Sequence, residues 1–109
     1  MKFVKVAQKI ELSIENKLKV SAGDKTILLV NVDGSYYAIE NKCPHMGGSL
    51  FYGNLEGENI VCPRHGAIFN VKTGKNVGAA KILFLKTTPD DAKIFPVKVE
   101  GEDILVGIE

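Results

Sequence analysis

An all-β domain built from antiparallel sheets follows from three features of the sequence. Apolar and polar residues alternate with a period of two along most of the chain, and no segment keeps a helical period over three turns. Turn-forming residues recur between the alternating runs, at Asp33-Gly34, at Thr73-Gly74 and across Glu100 to Asp103. A length of 109 residues, 45% of them hydrophobic and 25% charged, suits one globular core, so residues 1–109 are read as a single domain.

Taken in order, Lys2 to Val6 and Lys17 to Val20 read as short strands joined by a polar link. Thr26 to Val32 and Ser35 to Glu40 flank Asp33-Gly34, a pair suited to the two positive-φ positions of a tight hairpin turn, so these two strands should pair. The second of them runs straight towards Cys43. Further on, "ENIVC" delivers Cys62 from another strand, and "AIFNVKTGKNV" reads as a hairpin turning at Lys72 to Lys75. Ile82 to Leu85 is expected to be a buried strand, and Thr88-Pro89-Asp90-Asp91 a loop or a short helical cap. "FPVKVEGEDILVGIE" closes as a hairpin around Glu100 to Asp103, in which Val97, Val99, Ile104 and Leu105 match a half-buried sheet only in part.

Composition excludes several classes of function. The formal net charge is +1 and the charges alternate without like-sign blocks, so neither nucleic acid nor a membrane surface is an expected partner. No apolar run approaches the roughly 20 residues that span a bilayer. The start, "MKFVKVAQKIEL", has no signal-peptide pattern, which places the protein in the cytoplasm, where two cysteines are expected as a metal pair rather than a disulfide.

Both cysteines and both histidines lie in two short stretches, "CPHMGGSL" and "CPRHGAIF". The pattern is C-x-H, sixteen residues, then C-x-x-H, so each stretch supplies one sulfur and one nitrogen. A disulfide would leave the histidines unexplained, and Cys-His nucleophilic catalysis gives no reason for a duplicated motif. Zinc accepts two Cys and two His as a structural site, although its motifs usually open with C-x2-C spacing. Mixed ligands on two loops suit a Rieske-type [2Fe-2S] centre, in which one iron takes two thiolates and the other two imidazoles. Gly47, Gly48 and Gly66 permit sharp turns and close approach of backbone amides to bridging sulfides, while Pro44 and Pro63 stiffen the loops. Met46, Leu50 and Phe69 fit either an apolar collar or ordinary core. Arg64, the only arginine in the chain, fits a solvated loop position or a docking role, and with Lys42 it flanks the tip in a way that favours an acidic partner.

On these residues the chain resembles the Rieske ferredoxin family. CPH-x-G-G and CPRHG-x-x-F are set between "FVKVA" at the start, "YYAIENKCPH" and "PVKVEGEDILV" near the end, so the likeness covers nearly the whole chain. The resemblance implies a Rieske fold, with antiparallel sheets in a small sandwich or barrel base and a two-loop cluster-binding subdomain at about residues 41–80. It implies that Cys43 and Cys62 hold the inner iron and His45 and His65 the outer one, supported by Pro44, Met46, Gly47, Gly48, Pro63, Arg64 and Gly66. It further implies a soluble one-electron carrier, not itself an enzyme, that passes electrons from a flavin-linked reductase to an oxygenase or other terminal enzyme through one [2Fe-2S] cluster. The small Rieske-like subunit of an assimilatory nitrite reductase is the near alternative, and a structural zinc-binding interaction module the alternative of another class.

Three departures refine this expectation. Gly48 and Arg64 stand where the respiratory branch of the family has an extra, disulfide-bonded cysteine in each loop. Ala67 and Phe69 replace that branch's serine and tyrosine, which donate hydrogen bonds to the cluster, so the potential is expected towards the lower end of the roughly −150 to +300 mV Rieske span. Gly78-Ala79-Ala80, followed by extra residues before Phe95-Pro96, takes the place of a proline-bearing loop over the cluster.

Overall fold

The computed structural model of the protein describes residues 1–43, 48–63, 66–78, 80–82, 85–87 and 91–109. Its strands are β1 (Lys2–Gln8), β2 (Asn16–Ala22), β3 (Lys25–Val32), β4 (Ser35–Glu40), β5 (Asn54–Glu56), β6 (Asn59–Val61) and β7 (Ile68–Asn70). They continue as β8 (Asn76–Gly78), β9 (Ala80–Ile82), β10 (Leu85–Thr87), β11 (Ile94–Phe95), β12 (Val97–Glu100) and β13 (Asp103–Ile108). Single 3₁₀ turns at Lys9–Glu11 and Leu50–Tyr52 are the only helical elements among the described residues. The strands form sheets in the orders β1-β13-β12, β11-β4-β3-β2 and β5-β6-β7-β8, and β9 pairs with β10; every pairing is antiparallel.

The sheet containing β3 and β4 is the common wall of two cores. On β3, Ile27 and Leu29 face one side together with Ala38 of β4, where Ala7, Leu12, Phe95, Ile104 and Val106 cover them. Leu28, Val30 and Val32 face the other side with Ile39, against Leu50, Ile60, Phe69, Val71 and both cysteines. Burial on both faces explains why β3 reads as the near-continuous apolar run "ILLV" rather than as a clean alternation. Each such aliphatic side chain contributes roughly 1.5–3 kcal/mol by burial.

The central hairpin turns as expected. Asp33 and Gly34 have φ of 53° and 88°, the pair of left-handed positions a two-residue turn requires. Buried Asn31 secures it, accepting the Gly34 N–H at 2.9 Å on Oδ1 while its amide nitrogen donates to the Leu12 carbonyl at 3.0 Å. The hairpin around residues 71–75 and the closing hairpin at Glu100 to Asp103 also form, with Gly74 and Gly101 at positive φ.

Elsewhere the fold departs from the sequence reading. Ile82 to Leu85 is not one strand: Ile82 ends β9 and Leu85 opens β10, and the two are register partners. In the last hairpin Val97 pairs with Val106 and Val99 with Ile104, so Ile104 and Val106 are core residues whereas Val99 is exposed. Thr88, Pro89 and Asp90 lie outside the described residues; Asp91 accepts the Asn76 N–H at 2.9 Å, and Ala92 donates to the Gly74 carbonyl at 2.7 Å.

The alternating burial of β3 separates the two cores experimentally. Leu28→Ala and Leu29→Ala should each lose about 2–5 kcal/mol in denaturant unfolding. In metal-free protein without denaturant, Leu28→Ala should speed labelling of the two buried thiols more than Leu29→Ala, because only Leu28 shares their core.

Candidate metal centre

The first Cys-His stretch leaves the end of β4 and returns at the 3₁₀ turn Leu50–Tyr52. Its base is a small ladder: the Cys43 N–H donates to the Gly48 carbonyl at 2.7 Å, Lys42 bridges Ser49, and the Leu50 N–H donates to the Asn41 carbonyl at 2.8 Å. Asn41, buried at 6% exposure, pins this base with its side chain. Its Nδ2 donates to Ser49 Oγ at 2.7 Å, its Oδ1 accepts the Phe51 N–H at 2.9 Å, and its own N–H donates to Thr26 of β3 at 3.0 Å. One polar side chain thus ties both arms of the loop together, next to a strand buried on both faces.

The second stretch joins β6 to β7 and closes in the same way. The Cys62 N–H donates to the Ala67 carbonyl at 2.7 Å, again five residues ahead, and the Gly66 N–H donates back to the Cys62 carbonyl at 3.2 Å. Gly66 adopts φ of 75°, and a Cβ there would meet nothing within 4 Å, so glycine is required by conformation rather than by space. Its amide, expected to approach a sulfide, is engaged in closing the loop.

The two closed loops meet because Gly53 allows it. A Cβ on Gly53 would overlap the carbonyl of Val61, the residue before Cys62, so the exit of the first loop lies directly on the strand that enters the second. Cys43 and Cys62 are both buried, at 1% and 3% exposure, within one apolar cluster, and neither is in a disulfide. At the other end of β6 and β7, Lys72 Nζ lies 3.1 Å from Glu58 Oε2, and Asn70 Nδ2 donates to Glu58 Oε1 at 2.9 Å. These contacts, that from Lys72 foremost, hold the Glu58 carboxyl below the usual carboxylate range, and Glu58 in turn raises Lys72.

Of the residues singled out from the sequence, Cys43, Gly48, Cys62, Pro63 and Gly66 are placed on these two loops. Pro44, His45, Met46, Gly47, Arg64 and His65 lie outside the described residues. Leu50 and Phe69 are fully buried, which makes them core rather than an exposed collar. Asn41 and Gly53 escaped the sequence reading. An asparagine two residues before the ligand-type cysteine, at the end of an apolar strand, was the available signal for the first; Gly53 has none, because its constraint is a tertiary contact.

The donor set fits a cluster. Two thiols held in one apolar core, on loops of one design that each carry a histidine, match a centre that sorts sulfur and nitrogen onto different irons. Fold and site together define a protein of the two-cysteine, two-histidine iron-sulfur class. The model of the Rieske [2Fe-2S] domain matches residues 2–89, and the chain belongs to that family, with a Rieske-type [2Fe-2S] cluster as its cofactor.

Similar proteins agree along the full length. The ferredoxin component of biphenyl 2,3-dioxygenase from Rhodococcus jostii (strain RHA1) is 33% identical over 109 residues, covering 100% of this chain and 95% of that protein. The ferredoxin of carbazole 1,9a-dioxygenase from Nocardioides aromaticivorans IC177 superposes with a TM-score of 0.84 at 27% identity, covering 100% of both chains. A chain in the complex of reduced oxygenase and oxidised ferredoxin in carbazole 1,9a-dioxygenase superposes with a TM-score of 0.80 at 30% identity, covering 95% of this chain and 91% of that one.

The Asn41 clamp makes a direct prediction. Asn41→Ala strands the Phe51 N–H and the Ser49 hydroxyl, so it should cost about 1–3 kcal/mol and speed loss of iron to a chelator. Asn41→Asp, which keeps an acceptor for Phe51, should lie between Asn41→Ala and the wild type in the same chelation assay.

Proposed function

We propose that the chain is the one-electron carrier of an oxygenase system, accepting an electron from a flavin-linked reductase and handing it to a terminal oxygenase. The observation that carries this reading is the pair of loops, each closed by its own cysteine amide, that place two thiols in one dry core. Whole-length similarity to ferredoxin components supports it, and the carbazole dioxygenase complex, a ferredoxin bound to its oxygenase, supports the choice of acceptor. The chain transforms no substrate itself; it is the electron-transfer component of a larger oxidoreductase.

In this reading Cys43 and Cys62 hold one iron and His45 and His65 the other. Pro44, Met46, Gly47, Gly48, Pro63, Arg64 and Gly66 shape the two loops, and residues 41–80 or so form the cluster-binding subdomain. The bound cluster supplies storage for a single electron. What the protein supplies is restraint: an apolar core keeps water from the thiols, and closed loops limit movement of the ligands when charge arrives. Among the described residues no helix is long and apolar enough to cross a membrane. We place the carrier in the cytoplasm, where reducing conditions keep thiols available to metal.

Three measurements test the reading. Purified protein should contain iron and acid-labile sulfide in equal amount and give a paramagnetic signal after dithionite reduction, abolished in His45→Ala and His65→Ala; zinc without sulfide would favour a structural module instead. Its midpoint potential should fall in the lower part of the roughly −150 to +300 mV span, because the fully buried Ala67 and Phe69 have no side-chain donor. Phe69→Tyr should raise that potential if its hydroxyl reaches the cluster, and an unchanged potential would remove Phe69 from the explanation.

A further inference from the structure

One flank of the first loop gathers positive charge that the fold alone does not require. Lys17 and Lys19 lie on the edge strand β2, opposite Val30 and Leu28, and so on the face that looks towards the core of the cysteines. Their ammonium groups stand over the rings that follow the loop: Lys17 Nζ is 5.2 Å from the Phe51 centroid, and Lys19 Nζ is 5.4 Å from that of Tyr52. Charged lysines on an edge strand discourage its pairing with another chain, which accounts for these two. It does not account for Lys25 and Lys42. Both line an open groove of about 540 Å³ with Lys19, Tyr52 and, in the base of the loop, Gly48 and Ser49.

Among the described residues none of these four lysines is in an ion pair; the three pairs present involve Lys5, Lys72 and Lys98. In the groove Asp24 and Glu40 oppose Lys19, Lys25 and Lys42, and Lys17, over the Phe51 ring, adds a fourth cation on the same flank. Tyr52, 68% exposed, offers a flat ring in the middle of this charge.

Resting on the carrier reading, we propose that this face, formed by β2, Tyr52 and Lys42, is a docking surface for a protein that presents carboxylates around its own redox centre. The rings hold Lys17 and Lys19 in place before any partner arrives, which lowers the entropy lost on pairing. Complementary charge speeds encounter and sets register, and the tyrosine provides a contact of the kind that anchors small interfaces. Because Gly48 and Ser49 line the groove, a partner seated there lies against the base of the loop that carries Cys43.

The test uses the reduced holo-protein and two small oxidants, each taking one electron: hexacyanoferrate(III), an anion reduced to hexacyanoferrate(II), and hexaamminecobalt(III), a cation. In the Lys25→Glu/Lys42→Glu variant, which spares the ring-stacked lysines, oxidation by the anion at low ionic strength should slow about tenfold or more. Oxidation by the cation should quicken, and both differences should vanish near ~0.5 M salt. Lys9→Glu/Lys98→Glu serves as the control, since Lys9 borders the Gly34 turn at the other end of β4, and it should leave both rates unchanged. Poly-L-glutamate should slow oxidation of the wild type but not of the Lys25→Glu/Lys42→Glu variant. Unchanged rates in that variant overturn the proposal, as does competition by duplex DNA or phosphatidylglycerol vesicles where poly-L-glutamate has no effect. The comparison is made on variants whose paramagnetic signal and midpoint potential match the wild type; absence of that signal from the wild type would refute the carrier reading rather than the docking face.

Discussion

Each metal-binding loop depends on one backbone hydrogen bond, from the cysteine amide to the carbonyl five residues ahead. Cys43 makes it to Gly48 and Cys62 to Ala67, both at 2.7 Å. A loop that closes on itself this tightly fixes where its cysteine sulfur points, whatever the intervening side chains do. The remainder of the structure supports these two closures. Asn41 clamps the first to the central sheet, the β6-β7 pairing holds the arms of the second, and Gly53 lets the two lie against each other.

The central sheet makes the arrangement stiff. Because β3 is buried on both faces, the base core and the core of the cysteines share one wall, and Asn41 hydrogen bonds to that wall through Thr26. Displacing the first loop therefore means disturbing a strand that neither core can release cheaply. Rigidity of this kind suits an electron carrier, where ligand movement on reduction slows transfer, better than it suits an enzyme that must close over a substrate.

How much of this was legible in the sequence varied with the range of the interaction. Asp33-Gly34 announced its hairpin because turn chemistry is local, and the cysteines and histidines announced a metal centre because few other arrangements need that combination. The two-residue strand β11 and the three-residue strand β5 are too short to show a period. Ile82 to Leu85 looked like one strand because an apolar run does not reveal that its two ends belong to different, paired strands. Asn41 looked like any polar residue at a strand end, since burial is a property of the packed molecule and not of the letter. Gly53 was invisible for the same reason.

The division of labour within the loops also explains why this chain can differ from the respiratory branch and still hold a cluster. Loop closure uses backbone carbonyls at positions 48 and 67, so the side chains there are released from any holding role. Gly48 can replace a cysteine and Ala67 a serine without opening either loop. On the proposed reading, what those replacements change is the electrostatic surrounding of the cluster, because a bridging sulfur and a hydroxyl donor are both absent. Backbone geometry thus closes the loops, which leaves the side chains at these positions free to vary. A family built in this way can move along its potential range by substitutions at a few buried positions, without having to re-form the site each time.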